Sequence, residues 1–238
     1  MKILILNGSP KKEKSDTMAV TRKLVSGMNA DSEKETEIIN LYDCNFDFCK
    51  GCLSCMQNGG TCVLNDDITE IFDKILKADF VIFSFPLYTF AMPAVVKAVV
   101  ERMLPVYSLA MKKVDDHYEH YPQKDISAIK FIMVSGGGYP NIEKNFDAAV
   151  LQFKTFFIHS AETLCIPEAI IFNDPKFEKI VQPILDDIFE AGRELVASGR
   201  ISEERRAKCQ RPPLSPRVYV KSLNFEQFLT DNIDHTGG

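Results

Sequence analysis

Apolar residues fill both parities of the run over 2–7, Lys-Ile-Leu-Ile-Leu-Asn. That pattern predicts a strand buried on both faces, of the kind found inside a parallel sheet. Gly8-Ser9-Pro10 ends it, and Ser15-Asp16-Thr17 offers N-cap chemistry for a helix running to about 28. A second strand is predicted over 37–42. A Cys- and Gly-rich loop covers 44–62, and Asp66-Asp67 opens a helix to about 77, with Ile68, Ile71, Phe72 and Ile75 on one face. The run over 80–85 reads as a strand stopped by Pro86. Pro93 suits the first turn of a helix reaching about 104. Residues 105–125 show no regular period and read as a loop insertion, which at that length points to function. A strand over 128–134 leads into Gly136-Gly137-Gly138. A helix follows from Asn141 to about 160, carrying His159 as a structural residue. A last strand is predicted over 164–172, broken at Pro167, and a long amphipathic helix over 175–198.

Strand and helix alternate about five times, which gives an α/β fold: a doubly wound, five-stranded parallel sheet with helices on both faces. The expected organisation is one domain over 1–199 and a C-terminal helical and basic extension over 200–238, packing on that domain or on a neighbouring subunit.

Composition narrows the function class. Of 238 residues, 45% are hydrophobic and 26% charged, as in a globular chain rather than a disordered or fibrous one. With 28 Lys and Arg against 33 Asp and Glu, the net charge of −5 argues against a nucleic-acid coat. The apolar runs are too short for a membrane span, and the opening Met-Lys-Ile-Leu-Ile-Leu is too short for a signal-peptide core, so a cytoplasmic location is expected. The stretch 193–221 holds eight basic and three acidic residues, which reads most simply as a solvated or packing arm.

Three loops carry candidate chemistry. After the first strand, the hydroxyls of Ser9, Ser15 and Thr17 and the first free N–H groups of the next helix suit a phosphate, with Lys11, Lys12 and Lys14 adding positive field. Neither a G-x-G-x-x-G nor a G-x-x-x-x-G-K-[ST] loop is present. Three successive glycines directly after a buried strand favour close backbone approach to a ligand. His117 and His120 make a weak metal pair and fit a surface loop, although the insertion around them could also serve as a lid. Seven cysteines, an odd count with five between 44 and 62, argue against a disulfide framework and for metal, cluster or redox chemistry.

Three segments together resemble the flavodoxin-like NAD(P)H-dependent flavin reductases: Gly8-Ser9-Pro10 with Ser15-Asp16-Thr17; Ser84-Phe85-Pro86-Leu87-Tyr88 followed by Pro93, Lys97 and Glu101-Arg102; and Ser135-Gly136-Gly137-Gly138. The resemblance covers about residues 1–170. It implies a flavodoxin-like sheet with FMN at its switch point. It also implies that Ser9, Lys11, Ser15, Thr17 and the N–H of Met18 surround the FMN phosphate. Pro86, Leu87, Tyr88, Thr89 and Phe90 would wrap the ring edge and ribityl chain, and Ser135, Gly136, Gly137, Gly138 and Tyr139 would cover the pyrimidine side. Asp16 stands where the family often has Asn, which leaves its role open. No catalytic side chain is expected, because the hydride chemistry belongs to the flavin.

The spacing Cys49-x2-Cys52-x2-Cys55-x6-Cys62 resembles the compact motif of the iron–sulfur flavoproteins, a branch of the same family in which a [4Fe–4S] cluster passes electrons to FMN. Val63 stands where ferredoxin runs have Pro. A cluster, a cluster-free loop and a structural zinc stay open. The expected function is an FMN-dependent oxidoreductase drawing on NAD(P)H, or on a ferredoxin-type donor, and serving a small-molecule or redox-protein acceptor. A homodimer or homotetramer is implied by the resemblance. The rivals are a non-catalytic FMN electron carrier and a metal or redox sensor built on the Cys loop.

Overall fold

The computed structural model describes residues 1–157 and 160–223. His159 and the tail beyond 223 lie outside the described residues. In chain order the elements are β1 (Lys2–Asn7), α1 (Asp16–Met28), β2 (Glu35–Asn40), α2 (Asp67–Leu76), β3 (Phe80–Pro86), α3 (Ala94–Glu101), β4 (Tyr107–Val114), β5 (His117–Pro122), β6 (Lys130–Gly136), α4 (Asp147–Phe156), β7 (Ala161–Ile166), α5 (Glu178–Ser198), α6 (Glu203–Cys209) and α7 (Pro216–Ser222).

Five strands form one parallel sheet in the order β2-β1-β3-β6-β7. The chain winds first one way from β1 and then the other, so the switch point falls between β1 and β3. Alternate side chains feed two cores. Leu4, Leu6, Val81, Phe83, Phe131 and Met133 face α2, α3 and α4, while Ile3, Ile5, Ile82, Ile132 and Val134 face α1 and α5. This is the two-sided burial that the unbroken apolar runs predict.

Helices α1 and α5 cross at two glycines. A Cβ on Gly27 would stand 1.8 Å from the Phe189 carbonyl oxygen, and one on Gly192 would stand 2.1 Å from that of Leu24. The two backbones are therefore in direct contact.

Several elements differ from the sequence expectation, beginning with β2, found over Glu35–Asn40 instead of 37–42, and β6, found over Lys130–Gly136 instead of 128–134. The insertion over 105–125 is not a loop: β4 and β5 pair as an antiparallel hairpin with an irregular register near its base. Most of its side chains are exposed on both faces, so no alternation marks it in the sequence. Helix α4 begins at Asp147 instead of Asn141, because the intervening chain turns, with Lys144 at φ +67°. The last strand stops at Ile166, since Pro167 and the left-handed Glu168 (φ +53°) break it before a short 3-10 turn. Helix α3 ends at Glu101, short of 104.

The segment after α5 is anchored to the sheet edge at β7. Gln210 accepts the Cys165 N–H (2.9 Å), and Arg206 donates to the Thr163 carbonyl and pairs with Glu162. These side chains occupy backbone groups that an edge strand leaves open. Asp187 pairs with both Arg205 and Arg211, so acids of the domain offset part of the basic run.

Candidate functional site

The carboxyl ends of β1, β3 and β6 bring the three predicted loops to one edge of the sheet. Backbone hydrogen bonds lock them together: Gly8 N–H donates to the Ser84 carbonyl (2.8 Å) and Leu87 N–H to the Gly136 carbonyl (2.7 Å). Gly8 and Gly136 are required by packing. A Cβ on Gly8 would meet Val96 at 2.1 Å, and one on Gly136 would meet Ala169 and the Thr17 hydroxyl at 2.7 and 2.8 Å. Gly137 is crowded by Phe146. The close approach predicted for this glycine run is therefore made to the protein's own atoms at its first two positions. Gly138 and Tyr139 are exposed.

Ser9, Ser15 and Thr17 are almost fully buried, and the Met18 side chain lies in the core. The Ser9 hydroxyl accepts the Lys11 N–H (3.3 Å). Ser15 is the α1 N-cap residue, yet its side chain makes no capping bond, so it does not occupy the amides of the first turn. Asp16 points away from them: it accepts from Asn173 (3.1 Å) and pairs with Lys11 at 3.4 Å. Ser84, inside β3, bonds the Thr21 hydroxyl of α1 at 2.7 Å.

The loop after β3 is strained. Tyr88 and Ala91 exchange both backbone hydrogen bonds around Thr89 (φ +49°) and Phe90 (φ +63°). Two consecutive left-handed residues suit Asn-Gly, and a β-branched Thr and a bulky Phe are costly there. Tyr88, Phe90 and Tyr139 are exposed. Phe90 stacks on Tyr139 with ring centroids 5.5 Å apart and planes inclined by 20°. Ser135 is fully buried, and its hydroxyl has no hydrogen-bond partner.

A buried carboxyl backs this edge. Glu168 Oε2 accepts the Leu214 N–H (2.8 Å), its own N–H donates to the Tyr139 carbonyl, and its Oε1 is unpartnered. Burial raises its pKa to about 6. Tyr219 of α7, itself buried and raised to about 12 by burial, donates to the Gly138 carbonyl at 2.9 Å. The arm thus grips the glycine loop from behind. Neither residue stands out in the sequence, because a Glu after Pro167 and a Tyr in a basic tail have no pattern to mark them.

Cys49, Cys52, Cys55 and Cys62 line one small cleft with Arg102. Cys55 is buried and Cys52 exposed. Burial raises the Cys55 thiol, and the other three cysteines add to that rise. Hydrogen bonds from the Ser54 backbone and side chain lower Cys52. Gly51 N–H reaches the Cys49 sulfur at 3.5 Å, whereas Gly60 N–H goes to the Cys55 carbonyl. Left-handed Gly51, Leu53, Gly59 and Gly60 shape the loop. Among the described residues no three His, Cys, Asp or Glu side chains are grouped to hold a metal ion. The donor set nevertheless fits a thiolate-bound group in kind: four cysteines line one cleft beside a buried cation with an unpartnered Nε. Cys44 lies apart, with its thiol directed at the Asn40 carbonyl.

Asp66 fastens this loop. Its carboxylate caps α2 at Ile68 N–H, accepts the Asp47 N–H, and forms a bidentate pair with Arg102 at 2.8 and 2.9 Å. The Arg102 hydrogen bonds are the largest cause holding Asp66 below the usual carboxylate range. Arg102 also donates to the Asp47 carbonyl (2.8 Å). Gln123, after the hairpin, donates to the Cys55 carbonyl (3.1 Å), so the hairpin base abuts the Cys loop. His117 pairs with Glu119, while the buried Nδ1 of His120 is unpartnered. Three apart on a strand, the two rings leave opposite faces and do not converge. An open cavity of about 620 Å³ lies beside the loop, lined by Cys49, Lys97, Val100, Leu104 and Phe156 among others.

Among the described residues no helix is long and apolar enough to cross a membrane. A family model described as a flavodoxin-like fold (Flavodoxin_2) matches residues 1–158. An iron-sulfur flavoprotein of Methanocaldococcus jannaschii is 35% identical over 108 residues, 44% of this chain and 53% of that protein, so the match spans about half the relative's length. An iron-sulfur flavoprotein of Clostridioides difficile is 28% identical over 204 residues, 79% of this chain and 85% of that protein. Among solved structures, an FMN-dependent NADH-azoreductase from Bacillus anthracis in complex with FMN superposes with a TM-score of 0.58 at 19% identity, over 82% of this chain and 99% of that one. The last likeness concerns the fold.

Proposed function

The chain belongs to the Flavodoxin_2 family of flavodoxin-like proteins, and from that premise we propose that it is an FMN-dependent oxidoreductase with an iron–sulfur site in its Cys loop. The observation that carries the proposal is the convergence of three loops at the switch point of a doubly wound sheet, where such folds take their ligands.

Two features support a flavin mononucleotide there: helix-start amides that Ser15 leaves uncapped, and a buried Ser135 hydroxyl with no protein partner. In this reading Ser9, Ser15, Thr17 and the Met18 N–H hold the phosphate, with Lys11 adding charge at the rim. Asp16, turned to Asn173, stays out of the phosphate's way. Pro86 to Phe90 and Ser135 to Tyr139 flank the ring, and the Phe90–Tyr139 stack opens or shifts to admit it. Bound FMN supplies hydride and electron chemistry between NAD(P)H and an acceptor, which is a small molecule or a redox protein. Cys49, Cys52, Cys55 and Cys62 hold a [4Fe–4S] group that supplies one-electron transfer. The iron–sulfur flavoprotein relatives and the shared four-thiol cleft support this second site. The reading takes the chain as a homodimer or homotetramer, and the open cavity lined by Val100, Leu104 and Phe156, with exposed Leu151 on α4, supports a subunit face there.

The test is anaerobic purification followed by a visible spectrum and a count of FMN, iron and acid-labile sulfide per chain, then NADH and NADPH oxidation assays. FMN with about four irons and four sulfides supports the whole reading. FMN without iron removes the Cys-loop half. Flavin without pyridine-nucleotide oxidation leaves a ferredoxin-type donor if iron is present and favours a carrier if it is absent, and no flavin after adding FMN sinks the proposal.

A further inference from the structure

Arg102 is the residue that the fold buries most conspicuously without completing its bonding. It ends α3, its side chain is almost wholly inaccessible, and its two terminal nitrogens are engaged by Asp66 and the Asp47 carbonyl. Its Nε is buried with no partner. A buried, unpartnered donor on a charged group is costly unless something accepts from it. The same guanidinium lines the cleft of the four cysteines, Cys62 among them, and its free Nε is the donor it has left for them. The Asp66 carboxylate offsets the arginine's charge, but the guanidinium is the member of that pair that lines the cleft. Four thiolates around one cleft then add several negative charges in a partly desolvated space, where a fixed cation counts far more than in water.

We propose that Arg102 is a positioning residue of the Cys49–Cys62 site, donating to the Cys62 sulfur and setting, by its fixed charge, how firmly the site holds an iron–sulfur group and at what potential that group is reduced. This rests on the reading of the Cys loop as an iron–sulfur site. Reduction adds one electron to the group, makes and breaks no bond, and leaves the site one unit more negative. A neighbouring cation therefore favours the reduced form. Asp66 holds the guanidinium in place and, through Asp47, holds the loop against it.

The experiment compares wild type, Arg102→Lys and Arg102→Gln, each reconstituted anaerobically with ferrous iron and sulfide. Iron, sulfide and FMN are counted per chain, and the cluster is titrated with dithionite under spectroscopic observation. Lys keeps the charge and loses the fork, so it should lower iron content while holding the potential near that of wild type. Gln keeps a donor and loses the charge. It should favour the oxidised form at least tenfold, a fall of about 59 mV for one electron. Gln leaves Asp66 unpaired, so where the single variant does not fold, Asp66→Asn with Arg102→Gln is compared with Asp66→Asn with Arg102→Lys, a pair that differs only in the charge at 102. Asn is an equally good N-cap for α2, and the potential of the Gln member should fall below that of the Lys member. A purely structural arginine would change iron content and leave the potential of the retained clusters alone. Equal potentials in the Lys and charge-free variants overturn the proposal while leaving the iron–sulfur reading intact. Wild type without iron after reconstitution overturns both, and the wild-type count alone tells the two failures apart.

Discussion

Glu168 links two parts of the molecule through one protonation state. Burial raises its pKa from 4.5 to about 6, so the fold favours the neutral acid. That stabilisation is complete below about 4.5 and is lost as pH rises through about 6, amounting to about 2 kcal/mol by pH 7. Glu168→Gln keeps the acceptor for Leu214 N–H and removes the ionisation. The melting temperature of the variant should match wild type near pH 4.5 and exceed it by roughly 4–8 °C at pH 7. A constant difference across that range would show that Glu168 titrates alike in the folded and unfolded chain, with no raised pKa in the fold. At this scale the sequence was readable where chemistry repeats, in the hydroxyls of Ser9, Ser15 and Thr17 or the spacing of four cysteines. It was unreadable where a pair is assembled by the fold. Asp66 and Arg102 are 36 residues apart, and an acid at a helix start and a basic residue at a helix end each look complete alone.

At the scale of elements, the inner strands β1, β3 and β6 were legible because they are buried on both faces and their apolar runs are unbroken, whereas the edge strand β2 has no buried residue. The β4–β5 hairpin was not, because pairing rather than burial holds it and neither strand alternates. Helix crossings are equally silent in sequence: Gly27 and Gly192 read as ordinary helix positions, yet they let α1 and α5 touch backbone to backbone. Gly27→Ala should therefore destabilise at the upper end of about 1–3 kcal/mol or beyond, despite the better helix propensity of Ala, and lower the melting temperature by about 6 °C or more. A neutral or stabilised variant would mean that the crossing can widen without loss. The grip of α7 on the glycine loop gives a smaller effect. Tyr219→Phe leaves the Gly138 carbonyl without its donor, which should cost about 1 kcal/mol and be seen as a melting shift of about 2–4 °C. On the FMN reading the same variant should also release flavin faster on dilution.

For the whole molecule, the Cys loop is fastened by protein bonds from three sides. Asp66 and Asp67 hold its entry at Asp47 and Asn45, Arg102 clamps it from α3, and Gln123 holds Cys55 from the hairpin. On the iron–sulfur reading, stripping iron with a chelator should leave helix and strand content unchanged by circular dichroism and a single cooperative melt, unlike small metal domains that unfold without their ion. Loss of structure on chelation would show instead that the metal organises the loop. On the iron–sulfur reading, a loop that kept its shape unaided would separate synthesis from maturation: the polypeptide would fold and wait, and the metallocluster would be a replaceable part, fitted late and refitted after oxygen has destroyed it.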